Sequence, residues 1–262
     1  MAQDSTGYIW LGTQDGLNRF DGADLTVYKH DPDDPDSLSS NYINALAVDS
    51  KGRLWIATNG GGLDRFETST GHFIRYGYDP ADEASLSSNI LNAIVADAQG
   101  DLWIGANNGL NRMDPDSGAV VRYQSDPRRP GTLSGTNVSA LHMAGDGIIW
   151  VGTLDGGLSR LDPTTGSFTR FTSEPQQPGS LSSNTVGAIA EDSQGRLWVG
   201  TDVGLNRLDP GTGTFVRYAA DPENAQGLAD DSILELLRDR SGELWIGTDG
   251  GGLQRYNPSS DD

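Results

Sequence analysis

The sequence predicts an all-β fold: a β-propeller of six blades of four antiparallel strands, with incomplete first and last blades. Three observations lead there. The six Trp residues, at 10, 55, 103, 150, 198 and 245, are spaced by 45, 48, 47, 48 and 47 residues, and a period of that length marks a four-stranded unit repeated around an axis. Each Trp lies in an equivalent frame, such as Leu54-Trp-Ile-Ala-Thr58 or Ile149-Trp-Val-Gly-Thr153. These frames are continuously apolar rather than alternating, as in a strand covered on both faces. No stretch keeps a helical period, and Ile233-Leu-Glu-Leu-Leu-Arg238 reads in register as another first strand.

One repeat shows the elements in order. Strand a covers 90–96, strand b 101–106, strand c 110–113 and strand d 119–123, joined by turns at 97–100, 107–109 and 114–118. The first turn places Asp first and Gly fourth, which suits a type I turn followed by a left-handed residue. That Asp stands six residues before the Trp in five copies (Asp4, Asp49, Asp97, Asp192, Asp239); Ala144 is the exception. The b–c turn alternates in length. From the strand-b Thr or Ala to the next Leu the separation is 4, 5, 4, 5, 4, 5 residues, so the working unit is a pair of repeats, and strict alternation around a ring needs an even number of blades.

The whole of 1–262 reads as one propeller domain, with repeats at about 1–41, 42–89, 90–137, 138–184, 185–231 and 232–262. The chain opens inside a strand a and closes after a strand c, so the first blade is expected to have a stunted inner strand and the sixth to lack its outer strand. This points to an excised or engineered fragment. A five-bladed ring with a spare half-blade, and two chains sharing a ring, are alternatives. An open sheet edge templates pairing with another chain, so self-association is expected.

Composition narrows the function. There are 30 Asp and 7 Glu against 16 Arg and 2 Lys, a net charge of −19, which disfavours nucleic acid and anionic membranes. The Asp excess fits a chain rich in turns; a saline source is the other reading. With no Cys and three separated His, at 30, 72 and 142, neither a thiolate site nor a His-based metal centre is expected, and no cofactor is predicted. No apolar run is long enough to span a bilayer, and Met1-Ala-Gln-Asp4 is not a secretory signal.

The frame Leu244-Trp-Ile-Gly-Thr248, the run Gly204-Leu-Asn-Arg-Leu-Asp-Pro210, the run Thr212-Gly-Thr-Phe-Val-Arg-Tyr218 and the linker from Asp31 to Asn41 resemble the two-component regulator propeller repeat over essentially the whole chain. The resemblance implies the extracytoplasmic sensor portion of a hybrid two-component system, hence a periplasmic or extracellular location and an oligosaccharide ligand.

Repeated positions are read as structural. The Trp column could stack sugars, but six equivalents in apolar strands fit a core. Arg19, Arg65, Arg112, Arg160, Arg207 and Arg255 in strand c, and Arg75, Arg122, Arg170 and Arg217 in strand d, could ring an anion. They are read instead as covering apolar surface and pairing with turn Asp. Asp31, Asp33, Asp34 and Asp36 sit in the first d–a loop, but Asp36 and Tyr42 stand where a calcium loop needs Gly and Glu. The loop Leu (38, 86, 133, 181, 228) is expected to plug between blades, and its Asn (41, 89, 137, 184) to bond local backbone.

A private site is sought where copies differ, at the tips of the b–c turns, which share a face with the d–a loops. Gln14, Asp15, Asn59, Asn107, Asn108, Asp155, Asp202 and Asp249 are the candidates, with Leu154 and Val203 beside them. Their polar, acidic rim suits sugar hydroxyls. No Ser-His-Asp spacing or metal-ligand triplet is present, so no catalytic residue is assigned. The alternatives are a glycan lyase or hydrolase working at the same face, and a chain made to study propeller assembly.

Overall fold

The computed structural model describes every residue except Pro222, Ala225, Gln226, Ser260 and Asp262; three positions of the predicted fifth d–a loop, near 221, thus lie outside the described residues. The chain forms six antiparallel sheets, the blades of a β-propeller, with no helix among the described residues. Strands a are Ala2–Gln3, Ile43–Val48, Leu91–Ala96, Val138–Met143, Val186–Glu191 and Ile233–Arg238. Strands b are Ile9–Thr13, Leu54–Thr58, Leu102–Ala106, Ile149–Thr153, Leu197–Thr201 and Leu244–Thr248. Strands c are Gly16–Phe20, Leu63–Glu67, Gly109–Met113, Gly157–Asp162, Gly204–Asp209 and Leu253–Arg255. Strands d are Leu25–Tyr28, His72–Tyr76, Val120–Tyr123, Ser167–Phe171 and Thr214–Tyr218. Blade 1 has a two-residue inner strand and blade 6 has three strands. The chain divides into two compact units, Met1–Gln124 and Ser125–Asp262, each holding three blades.

Within each unit the core lies between neighbouring blades. Strand b of blades 2 to 5 is buried at every residue, as its unbroken apolar run requires. In the second unit Val186 and Ile233, at the heads of strands a, press so closely on the preceding strand b that a Cβ on Gly152 or Gly200 would lie 2.6 or 2.4 Å from them. That contact explains the Gly of the Trp-Val-Gly-Thr frame. The loop residues Leu38, Leu86, Leu133 and Leu181 are 0–1% exposed and Leu228 is 9% exposed, so the expected plugs are in place.

The repeated Asp does more than start a turn. Its Oδ1 accepts backbone N–H groups two and four residues ahead, while its Oδ2 accepts the indole N–H of the Trp six residues ahead. The indole distances are 2.7 Å for Asp4–Trp10, 2.9 Å for Asp49–Trp55, Asp97–Trp103 and Asp192–Trp198, and 2.8 Å for Asp239–Trp245. One carboxylate thus ties the a–b turn to the largest side chain of the core, satisfying a donor that burial would otherwise strand. At Asp49 and Asp192 burial raises the carboxyl pKa, but the bonds from Trp and Arg outweigh it and hold the group below its ordinary value. Asp239, bonded by Ser241 and Trp245, is lowered to about 2.

The two Arg columns are structural; in strand c Arg112 pairs with Asp101 as expected, whereas strand d departs from the expectation. Strand-d Arg side chains bond loop backbone rather than turn Asp. Arg75 donates to the carbonyls of Asp34, Ser37 and Leu38, Arg122 to those of Asp82 and Ser85, Arg170 to those of Asp126, Arg129 and Thr132, and Arg217 to those of Gln177, Ser180 and Leu181. A fork of donors suits a tightly wound loop whose carbonyls converge. Strand-c Arg side chains lie opposite the Trp across the b–c ladder. Arg19, Arg65, Arg112 and Arg207 hold their guanidinium within 5.4–5.8 Å of the Trp ring.

Candidate ligand-binding face

The b–c turns and d–a loops form one face in each unit because the backbone ties them together. In the first unit Gly16 N–H donates to Asn41 O (2.8 Å), Asn59 N–H to Tyr42 O (2.8 Å), and Gly60 and Gly62 N–H to Asn89 O (2.9 and 3.0 Å). In the second, Leu154 N–H donates to Asn137 O (2.9 Å), Gly157 N–H to Asn184 O (2.8 Å) and Asp249 N–H to Ser232 O (3.0 Å). The Thr ending strand b closes the turn: Thr13, Thr58, Thr153, Thr201 and Thr248 donate to the turn Gly carbonyl at 2.7–3.1 Å. In blade 3, Ala106 cannot.

The d–a loops are set by side chains that most copies repeat, with Asp231 taking the Asn role in the fifth by accepting Ala220 N–H at 2.7 Å. Asn41, Asn89 and Asn184 accept the backbone N–H of His30, Tyr78 and Ser173, each at 2.7 Å. The acids at the loop start turn inward: Asp31 Oδ1 accepts Asp33 N–H and Asp34 Oδ1 accepts Asp36 N–H, both at 3.0 Å. These are local turn bonds, and among the described residues no three acidic or His side chains converge as metal ligands.

With the frame held by repeated residues, the tips differ. All eight candidates are exposed. Gln14 donates to Tyr42 OH at 3.1 Å, and Asp15 accepts from Lys29 Nζ at 2.7 Å. Asn108 Nδ2 reaches Ser87 O at 3.3 Å. Asp155 is spent on the fold: its two carboxylate oxygens accept Thr136 N–H, at 2.9 and 3.0 Å, and its Oδ1 also takes Asn137 N–H at 3.1 Å. Among the described residues the side chains of Asn59, Asn107, Asp202 and Asp249 have no hydrogen-bond or ion-pair partner, which leaves two amides in the first unit and two carboxylates in the second open to solvent. Leu154 and Val203, 42% and 53% exposed, add apolar contact beside them.

Sequence reasoning missed one buried group at this face. Asp64 in strand c is fully buried and accepts Ser39 N–H and Ser39 Oγ–H, both at 2.8 Å, through Oδ2, while Oδ1 has no partner. Burial pushes its carboxyl up to about 6, against the pull of the Ser39 bonds. The only signal was that Asp64 stands where Asn18, Asn111 and Asn206 stand in odd blades.

Antiparallel four-stranded blades locked by an Asp–Trp bond define a β-propeller whose repeat is its own template. Five segments, 37–60, 85–108, 132–155, 180–203 and 227–250, match the family model described as Two component regulator propeller. A 37-residue stretch is 49% identical to histidine kinase P4 of Formosa agariphila, covering 14% of this chain and 3% of that protein. The extracellular domain of the hybrid two-component system BT3049 of B. thetaiotaomicron matches with a TM-score of 0.72 and 27% identity, over 96% of this chain and 38% of that one. Virginiamycin B lyase of Staphylococcus aureus matches with a TM-score of 0.70 and 17% identity, over 98% of this chain and 80% of that one, a likeness of fold. The chain therefore spans well under two thirds of the sensor proteins it resembles.

Proposed function

We propose that this chain is a non-catalytic recognition module of the sensor type, acting outside the cytoplasm, and that it binds a small hydroxyl-rich ligand such as a short oligosaccharide. The observation that carries this reading is the division of labour on the turn face of each unit. Repeated Thr, Asn and Arg residues consume the backbone's bonding capacity, whereas Asn59, Asn107, Asp202 and Asp249 vary between copies and keep their polar groups free. Amides and carboxylates on a rigid frame suit vicinal hydroxyls, since each offers paired donors or acceptors to a ligand that presents both. The kinship to sensor propellers favours recognition, and the likeness to a lyase propeller is one of fold alone.

The test is calorimetry with a panel of neutral oligosaccharides, repeated on Asn59→Ala and Asn107→Ala, with product analysis on every mixture. Saturable binding that these substitutions weaken, with the sugars recovered intact, supports the reading. Consumption of a sugar would establish the enzyme alternative, and binding indifferent to all rim substitutions would move the site elsewhere.

A further inference from the structure

Blade 4 breaks the lock that the other five blades keep. Ala144 stands where they have Asp, so among the described residues the indole N–H of Trp150 has no acceptor; Trp150 as a whole is 6% exposed, but its indole nitrogen is not sealed from solvent. A second vacancy adjoins it. Arg160 pairs with Trp150 across the b–c ladder. The equivalent Arg112 is held by Asp101 at 2.6 Å, and Arg255 by Glu243 at 2.9 Å, each acid standing two residues before its Trp. In blade 4 that residue is Ile148, and among the described residues Arg160 has no hydrogen-bond or ion-pair partner. Trp150 and Arg160 line one cavity of about 390 Å³ between blades 4 and 5 of the second unit, walled by Phe171, Leu208 and Pro210. It opens among the a–b and c–d turns, and so is separate from the b–c turn face.

We propose that this cavity binds a small organic carboxylate, which gives blade 4 the acceptor that an aspartate gives elsewhere. The neighbouring blades show the chemistry: in blade 5 one carboxylate oxygen takes both the Trp198 indole N–H, at 2.9 Å, and Arg196 Nε–H, at 2.6 Å. A planar two-oxygen anion meets an indole donor and a guanidinium in the same manner. The apolar walls favour an organic body, and the volume lies within the range of small-molecule sites. Two acids on the rim set the charge limit. Glu191 faces His142 at 3.5 Å, and Asp146 Oδ1 accepts Ile148 N–H at 3.1 Å; together they oppose a doubly charged anion.

The experiment follows the six indole N–H signals of the whole ¹⁵N-labelled chain by NMR during titration with benzoate, with benzamide as the neutral isostere. Benzoate is expected to move one signal downfield to saturation, the one absent from Trp150→Phe, while benzamide leaves it in place. Ala144→Asp is expected to shift that signal without ligand and to weaken benzoate binding at least about tenfold, equivalent to about 1.4 kcal/mol. Arg160→Gln should weaken it similarly, with the other five indole signals unmoved as the check that the fold persists. The proposal is overturned if benzoate leaves the Trp150 signal unchanged, if benzamide binds as well, or if Ala144→Asp binds benzoate like the parent.

Discussion

Asp64→Asn is expected to stabilise the protein at pH 7 and to abolish a loss of stability that the parent shows between pH 4 and pH 6. In the same column Asn111 and Asn206 place an amide nitrogen where Asp64 has its unpartnered oxygen, and those nitrogens donate to Ile104 O and Val199 O, each at 3.2 Å. The residue facing Asp64 across the ladder is Ile56, so an ionised Asp64 sets an acceptor where its counterparts set a donor. Its carboxyl titrates near 6 when folded against an ordinary 3.8. The raised value fixes the sign. Below about pH 4 both states are protonated and the full stability is present; as pH climbs to 6 the unfolded chain releases the proton first, and stability falls. At 1.36 kcal/mol per pH unit the loss is about 3 kcal/mol. Urea midpoints of parent and variant at half-unit steps from pH 4 to pH 8 measure it. The two curves should converge at pH 4 and part by about 3 kcal/mol at pH 7. A constant gap across the range, or a variant weaker than the parent at pH 7, refutes the reasoning.

Other outcomes follow from the same contacts. Asp192→Ala strips acceptors from Trp198, Arg196 and two backbone N–H groups and should cost about 3 kcal/mol by chemical denaturation. Because the Asp192 carboxyl is held low, its contribution is present above pH 4 and lost on acidification, the reverse of Asp64. Arg75→Met frees the carbonyls of Asp34, Ser37 and Leu38 and should speed proteolysis within 31–41 several-fold, while leaving global stability within about 1 kcal/mol because Arg75 is exposed. The outer edge of Leu253–Arg255 lacks a strand partner among the described residues; concentration-dependent self-association by light scattering is expected, and a strict monomer at high concentration contradicts it.

What could be read from the sequence was whatever recurs. Six Trp frames gave the blades, the Asp–Gly spacing gave the a–b turns, and the loop Leu residues declared themselves as plugs because an apolar residue at a fixed place in a polar loop has to be buried. The bond from Asp to the Trp six residues on was hidden, since nothing in a linear pattern says that a turn carboxylate folds back over its own hairpin. The strand-d Arg residues were assigned the wrong partner: in a chain so rich in Asp, pairing with carboxylates is the natural expectation. The loops wind tightly enough to gather carbonyls, and that geometry won. At the candidate face the exposed tips were identified, but not that Asp155 is consumed by Thr136 and Asn137. Asp64 was unreadable for a related reason: Asp in place of Asn is trivial at a surface and consequential only at a buried carbonyl.

The central claim is that repeated residues hold the fold, while departures from the repeat leave groups free to bind. Hydrogen exchange of the six indole N–H groups tests it most directly. The account predicts five slow signals, from the tryptophans bonded to Asp4, Asp49, Asp97, Asp192 and Asp239, and one fast signal, from Trp150, that slows when benzoate is added. Six equally protected indoles, or a fast signal from any other blade, would contradict it.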